Sequence, residues 1–128
     1  MTISWLFRSF KQSNYRDVSQ HPAFEFISPF RGQAPIGNCD FSGAVDRFNG
    51  NDEPDFSNSS KRHFVQSSMI PVDEEVFEWI DIIDSAVHHS HEFVFVELGA
   101  GYGRWSARAY KIAKMLGISD SNIHLITV

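Results

Sequence analysis

A single cysteine, Cys39, stands in 128 residues, so no internal disulfide can form and a reducing, cytoplasmic setting is expected. No apolar run approaches the roughly 20 residues needed to cross a bilayer. The opening residues MTISWLFRSFKQ lack the unbroken apolar stretch of a secretory signal. Basic residues are outnumbered, 11 Lys and Arg against 16 Asp and Glu, which counts against the clustered positive charge that a nucleic-acid binder needs. The partners expected are therefore a small molecule or another protein, with no nucleic acid and no membrane. One counter-signal lies at the start, where Arg8, Lys11 and Arg16 precede the first acid, Asp17. Transit peptides and membrane-surface helices share that pattern, but a frayed or packed terminus is the plainer reading. Asn58-Ser59-Ser60 spells a glycosylation acceptor, which without a signal segment reads as a chance tripeptide in a polar loop.

What the chain does have is enough apolar material for one modest domain, at 42% hydrophobic and 14% aromatic. Residues 17–70 hold no sustained period of 3.6 or 2, and turn formers recur at Pro22, Pro29, Gly32, Pro35, Gly37, Gly43, Gly50 and Pro54. Long irregular structure is expected there, with an exposed loop over 49–60. Phe24, Phe26, Phe30, Phe41, Phe48, Phe56 and Phe64 run through the same region; leaving so many rings in water is costly, so they are expected to pack on something. The chain thus divides into an irregular, aromatic-rich extension, 1–70, and an ordered part, 71–128.

From Pro71 the pattern sharpens. Asp73 suits a helix cap, and Val76, Phe77, Ile80, Ile83 and Val87 fall on one stripe of a helix that should end near His88 and His89. Phe93 to Leu98 has the apolar continuity of a strand buried on both faces, as a parallel sheet requires. A second helix is predicted from about Arg104 to Leu116, with Trp105, Ala109, Ile112, Ala113 and Leu116 inward and Gly117 as its stop. Ile123 to Val128 reads as another strand. Helix, strand, glycine turn, helix, strand makes an α/β class protein with one right-handed β-α-β unit behind a leading helix.

The turn between strand and second helix carries the chemistry. Glu97, Gly99, Gly101 and Gly103 form E-x-G-x-G-x-G, where the missing side chains let a ligand approach the backbone at a helix start. In dinucleotide sites the spacing is G-x-G-x-x-G; here Arg104 holds the third-glycine position and Gly103 comes one residue early. The pattern resembles the first motif of class I S-adenosylmethionine-dependent methyltransferases. The continuation GRWSARAYKIAKMLGI with IHLITV is similar to the FkbM-like group, which methylates hydroxyl oxygens of sugars or natural products.

The resemblance covers residues 71–128 and implies an incomplete Rossmann-like methyltransferase fold. It implies S-adenosyl-L-methionine as cofactor, held by Glu97, Gly99, Ala100, Gly101, Tyr102 and Gly103, with Glu97 serving the ligand's ammonium directly or through water. A small-molecule methyl acceptor follows as partner. Class I enzymes have a seven-stranded sheet and an acidic ribose clamp after the second strand, here expected just beyond Val128, so the chain reads as a fragment of a longer enzyme. A catalytic base is not assignable. Two other readings stay open: a non-catalytic interaction module that keeps the turn for structure, and a dinucleotide-binding domain.

Other constellations invite plainer readings. His88, His89, His91 and Glu92 contain metal-ligand residue types without the i, i+4 pairing of the HExxH motif, so a solvated connection is expected and no metal is assigned. Arg104, Arg108, Lys111 and Lys114 are expected on a solvated helix face, with the two lysines favourable near the helix C-terminus. Trp105 is read as core in preference to cofactor stacking, and Cys39 as inert.

Overall fold

The computed structural model describes residues 20–46 and 60–128. The basic opening segment, Phe48, Phe56, and all but the last residue of both the 49–60 loop and the acceptor tripeptide lie outside them. Among the described residues the architecture is small α/β, with two helices and three two-stranded sheets.

The C-terminal part follows the predicted order. Helix α1 spans Val76–His88. Strand β5, Phe93–Glu97, and strand β6, Ile123–Thr127, pair in parallel from Phe93 opposite Ile123 to Glu97 opposite Thr127. Helix α2, Arg104–Met115, connects them and packs against both strands and α1.

Asp73 does not cap α1: its Oδ1 accepts from the Glu75 amide at 2.9 Å, and Glu75 itself stands at the N-cap without a side-chain hydrogen bond to the helix. The stop of α2 is a Schellman motif. Gly117 takes φ +81°, its amide donates to Lys114 O at 3.0 Å, and the Ile118 amide donates to Ala113 O at 3.0 Å, so two orphan carbonyls of the last turn are satisfied.

Three further expectations need correction. The buried stripe of α1 is Val76, Trp79, Ile82, Ile83 and Ala86, while Phe77 is 55% exposed. The helix carries apolar residues on two overlapping stripes, and packing selects the one that brings Trp79 against Phe41 and Trp105, at ring-centroid distances of 5.9 and 5.5 Å. Edge-on aromatic pairs of this kind add about 0.5–1.5 kcal/mol each beyond burial.

Secondly, β5 is buried on one face only. Phe93 and Phe95 turn toward the helices, but Val94 and Val96 are each half exposed. With Leu98, Ile126 and Val128, also exposed, they leave the second face of the sheet as bare, mostly aliphatic surface interrupted by His124 opposite Val94, because α2 covers only the first.

Thirdly, the 17–70 segment is not simply irregular. Strand β1, Arg31–Pro35, pairs antiparallel with β4, Arg62–Gln66, and β2, Asn38–Cys39, pairs with β3, Val45–Asp46. These strands escape the alternation rule because they are short, and β4 buries none of its residues.

One hydrophobic cluster joins the two parts of the chain. Phe24, Ile27, Phe41 and Ile70 pack with Trp79, Ile83, Phe93, Ala109 and Ile112. The phenylalanines of the first part divide accordingly: Phe24 and Phe41 are buried and meet edge-on at 5.6 Å, whereas Phe26 and Phe64 face solvent.

Candidate cofactor site at the glycine turn

The turn from β5 into α2 is built by three glycines with positive φ: +67° at Gly99, +53° at Gly101 and +68° at Gly103. Residues with a Cβ enter that region at a cost of about 1–2 kcal/mol, so a sequence of three dictates glycine at each. A Cβ at any of them would meet no atom within 4 Å. The glycines are thus required by backbone conformation and not by crowding, and the space where their side chains would stand is open. The turn's first amides are tied down, since Gly99 and Ala100 donate to Val128 O at 2.8 and 3.2 Å, and Gly103 donates to Ala100 O at 2.7 Å. Leu98 and Tyr102 flank it, each nearly four-fifths exposed.

Helix α2 starts after Gly103, which has no side chain to serve as a cap. Glu97, at the end of β5, does that work instead. Its Oε2 accepts from the Ser106 amide at 2.8 Å and the Ser106 hydroxyl at 2.6 Å, and its Oε1 accepts from the Trp105 amide at 3.3 Å. These are the donors an ordinary N-cap side chain would satisfy, and a carboxylate also suits the positive end of the helix dipole. Partial burial pushes the Glu97 carboxyl up, but the hydrogen bonds from the Ser106 hydroxyl and the Ser106 and Trp105 amides outweigh it and hold the group below the usual carboxylate value.

A second set of contacts grips the same end of α2. Arg108 is buried; its Nε donates to Asp40 Oδ2 at 2.9 Å and its Nη1 to Glu75 Oε2 at 3.0 Å. Its guanidinium lies over the edge-on pair of indoles, 4.6 Å from the Trp79 centroid and 4.4 Å from that of Trp105, a cation–π arrangement strengthened by desolvation. Arg104 pairs with the other oxygen of Glu75. Asp40 is itself fixed, its Oδ1 accepting from the Ser42 amide, the Ser42 hydroxyl and the Ala44 amide at 3.0, 2.7 and 3.2 Å.

Arg108 is therefore not on a solvated face, contrary to the sequence reading. The signal was present: Trp105, Arg108, Ala109 and Ile112 stand at i, i+3, i+4 and i+7, which puts an arginine in the middle of the inward stripe. Lys111 and Lys114 are exposed as expected, and Lys114 Nζ donates to Ile118 O at 3.2 Å beyond the helix end. Trp105 packs on the core.

The six residues of the candidate site form one continuous strand end and turn. Sequence reasoning missed Ser106, Arg108, Asp40 and Glu75, which hold that turn in place.

The histidine-rich connection carries no comparable geometry. His88, His89, His91 and Glu92 are exposed; His88 Nδ1 lies 2.7 Å from Asp84 O, and Glu92 is 3.9 Å from His124. Among the described residues no three His, Cys, Asp or Glu side chains lie together as a metal would require, and no helix is long and apolar enough to cross a membrane. Cys39 is a free thiol near the Ser67 hydroxyl, at 3.6 Å. No protein-family model matches the chain, and neither a curated protein nor a solved structure does.

Proposed function

We propose that residues 71–128 form the S-adenosylmethionine-binding unit of a Rossmann-like methyltransferase acting on a hydroxyl of a small molecule or sugar. The observation that carries this reading is the glycine turn: three positive-φ glycines at a strand-to-helix junction, open on their outer side, with a carboxylate two residues ahead. Such a surface suits a ligand that must lie against backbone. Glu97 Oε1 carries one 3.3 Å contact where Oε2 carries two shorter ones, which leaves lone pairs for an ammonium.

When bound, the cofactor supplies an electrophilic methyl on a sulfonium. The chain's part is to hold it in line with an acceptor, a matter of positioning. The general base that a hydroxyl acceptor calls for is not assigned to any residue here.

A dinucleotide fits this turn less well. The Trp105 and Ser106 amides that would face a pyrophosphate already face Glu97, whose negative charge repels one. The non-catalytic reading draws on a different observation, the exposed apolar side chains Val94, Val96, Leu98, Ile126 and Val128 on one sheet face, since clustered exposed apolar surface can serve as an interaction site. The methyltransferase reading accounts for the same face as a surface that further elements of such a fold would cover.

Calorimetric titration with S-adenosylhomocysteine separates the two. The expected result is binding by the wild-type chain, undisturbed by NAD, and its loss in Gly101→Asn. Asparagine tolerates φ +53°, so that variant keeps the turn while placing a side chain in the open space. Equal binding by both proteins, or none by either, would overturn the assignment.

A further inference from the structure

Glu97 caps the start of α2 from nearby in sequence, through the Trp105 and Ser106 amides and the Ser106 hydroxyl. The rest of the grip is remote: Asp40 lies 68 residues before Arg108 and Glu75 lies 33 before it. We propose that Arg108 is a positioning residue of the candidate cofactor site, through which the Asp40 turn of the N-terminal segment sets the placement of the glycine turn. The inference rests on reading that turn as the cofactor site.

Four features support it. Arg108 is buried, with its guanidinium carbon 4.6 and 4.4 Å from the ring centroids of the edge-on pair Trp79 and Trp105 and two of its nitrogens on carboxylates. That combination fixes a guanidinium in direction as well as position, which lysine could not reproduce. Trp105 is the residue whose amide meets Glu97, so the ring that Arg108 stacks on and the backbone that Glu97 caps belong to one residue. Glu75 holds Arg104 and Arg108 through its two oxygens, gripping the first helical residue after Gly103 and the residue one turn on. Asp40 divides its oxygens in the same way, Oδ1 shaping its own turn and Oδ2 reaching Arg108. A displacement of the Asp40 turn is thus passed to the helix start through Arg108, beside the ring contacts of Phe41, Trp79 and Trp105.

The test compares Asp40→Asn with Ile112→Val. Asparagine can keep the Oδ1 bonds within the turn and loses only the charged contact to Arg108; Ile112→Val destabilises the same helix without touching the network. Residue-resolved amide hydrogen exchange is read across α2, alongside S-adenosylhomocysteine affinity. Loss of a charge-assisted contact should speed exchange at Trp105 and Ser106 by about tenfold or more in Asp40→Asn, beyond any change at Ile112 and Ala113, while Ile112→Val changes all α2 amides together. Arg108→Lys, which keeps the charge without the fork, should behave as Asp40→Asn does. The proposal is overturned if Trp105 and Ser106 respond only in step with Ile112 and Ala113, or if Arg108→Lys behaves as wild type. Absence of S-adenosylhomocysteine binding by the wild-type chain would reject the cofactor reading instead, and the exchange pattern would still decide whether Arg108 positions the turn. Where the wild type binds, a similar loss of affinity in Asp40→Asn and Arg108→Lys, absent from Ile112→Val, is expected.

Discussion

At its C-terminal end, α2 is closed by residues within a few positions of one another: Gly117 and Ile118 return hydrogen bonds to Lys114 and Ala113, Lys114 reaches Ile118 O, and Tyr110 and Lys114 both meet Asp120. At its N-terminal end, the same helix is held by a strand end, by the start of α1 and by a turn near residue 40. The first arrangement is local and its side-chain contacts lie largely at the surface. The second is long-range and partly buried, with Arg108 and Glu75 each making more than one contact, and it is the one that adjoins the candidate site. Helix stops recur wherever a glycine follows a periodic segment, whereas a helix start drawn together from three separate elements exists only once the whole fold is formed.

The sharpest way to break this contrast is at Arg108. Arg108→Ala would leave Asp40 and Glu75 without their shared cation and uncover two indole faces, and a cost of about 3 kcal/mol is expected from breaking a buried ion pair of this kind. Urea unfolding of the variant measures it. A cost below about 1 kcal/mol would put Arg108 with ordinary surface pairs and remove the contrast.

Next in size is the Glu97 cap. Glu97→Ala should cost about 1–2 kcal/mol, and Glu97→Gln should show the charge through pH. The Glu97 carboxyl is held below its ordinary value of 4.5 in the folded chain, so the unfolded chain binds the proton first as pH falls. The stabilisation is complete above the unfolded value and is lost as pH drops through the folded one. Glu97→Gln should therefore flatten the acid limb of the stability curve while leaving its shape above about pH 6 unaltered. Asp81 works in the opposite sense, because burial and the neighbouring Glu78 and Asp84 raise its carboxyl above 3.8; Asp81→Asn makes a control that should not flatten that limb.

At the local end the effects shrink. Gly117→Ala forces alanine to φ +81°, a cost of about 1 kcal/mol that thermal unfolding would register. Lys114→Ala removes an exposed pair with Asp120 and should change stability by about 0–1 kcal/mol. If Lys114→Ala cost as much as Arg108→Ala, the two ends would be alike after all.

The same contrast explains what could be read from residue order alone. The periods of α1 and α2, the stop at Gly117 and the two strands rest on neighbours in sequence, and all were legible. So was the glycine turn, because three glycines spaced by two state a backbone conformation directly. The inward choice of Trp79 over Phe77 was not, since both lie on apolar stripes and only contact with Phe41 and Trp105 decides between them. The place of Arg108 on the inward stripe was legible, but its charge reads as surface until Asp40 and Glu75 are brought beside it. The bare face of β5 was misread as buried because apolar continuity reports what a strand can cover, not what is there to cover it.

The most direct test of the central claim is to titrate S-adenosylhomocysteine into isotope-labelled protein and follow the backbone amide signals. The account expects saturable shifts centred on Gly99, Gly101, Gly103 and their neighbours from Glu97 to Trp105, with none caused by NAD. Signals that stay in place, or that move only at Val94, Val96 and Ile126 on the bare face, would contradict it.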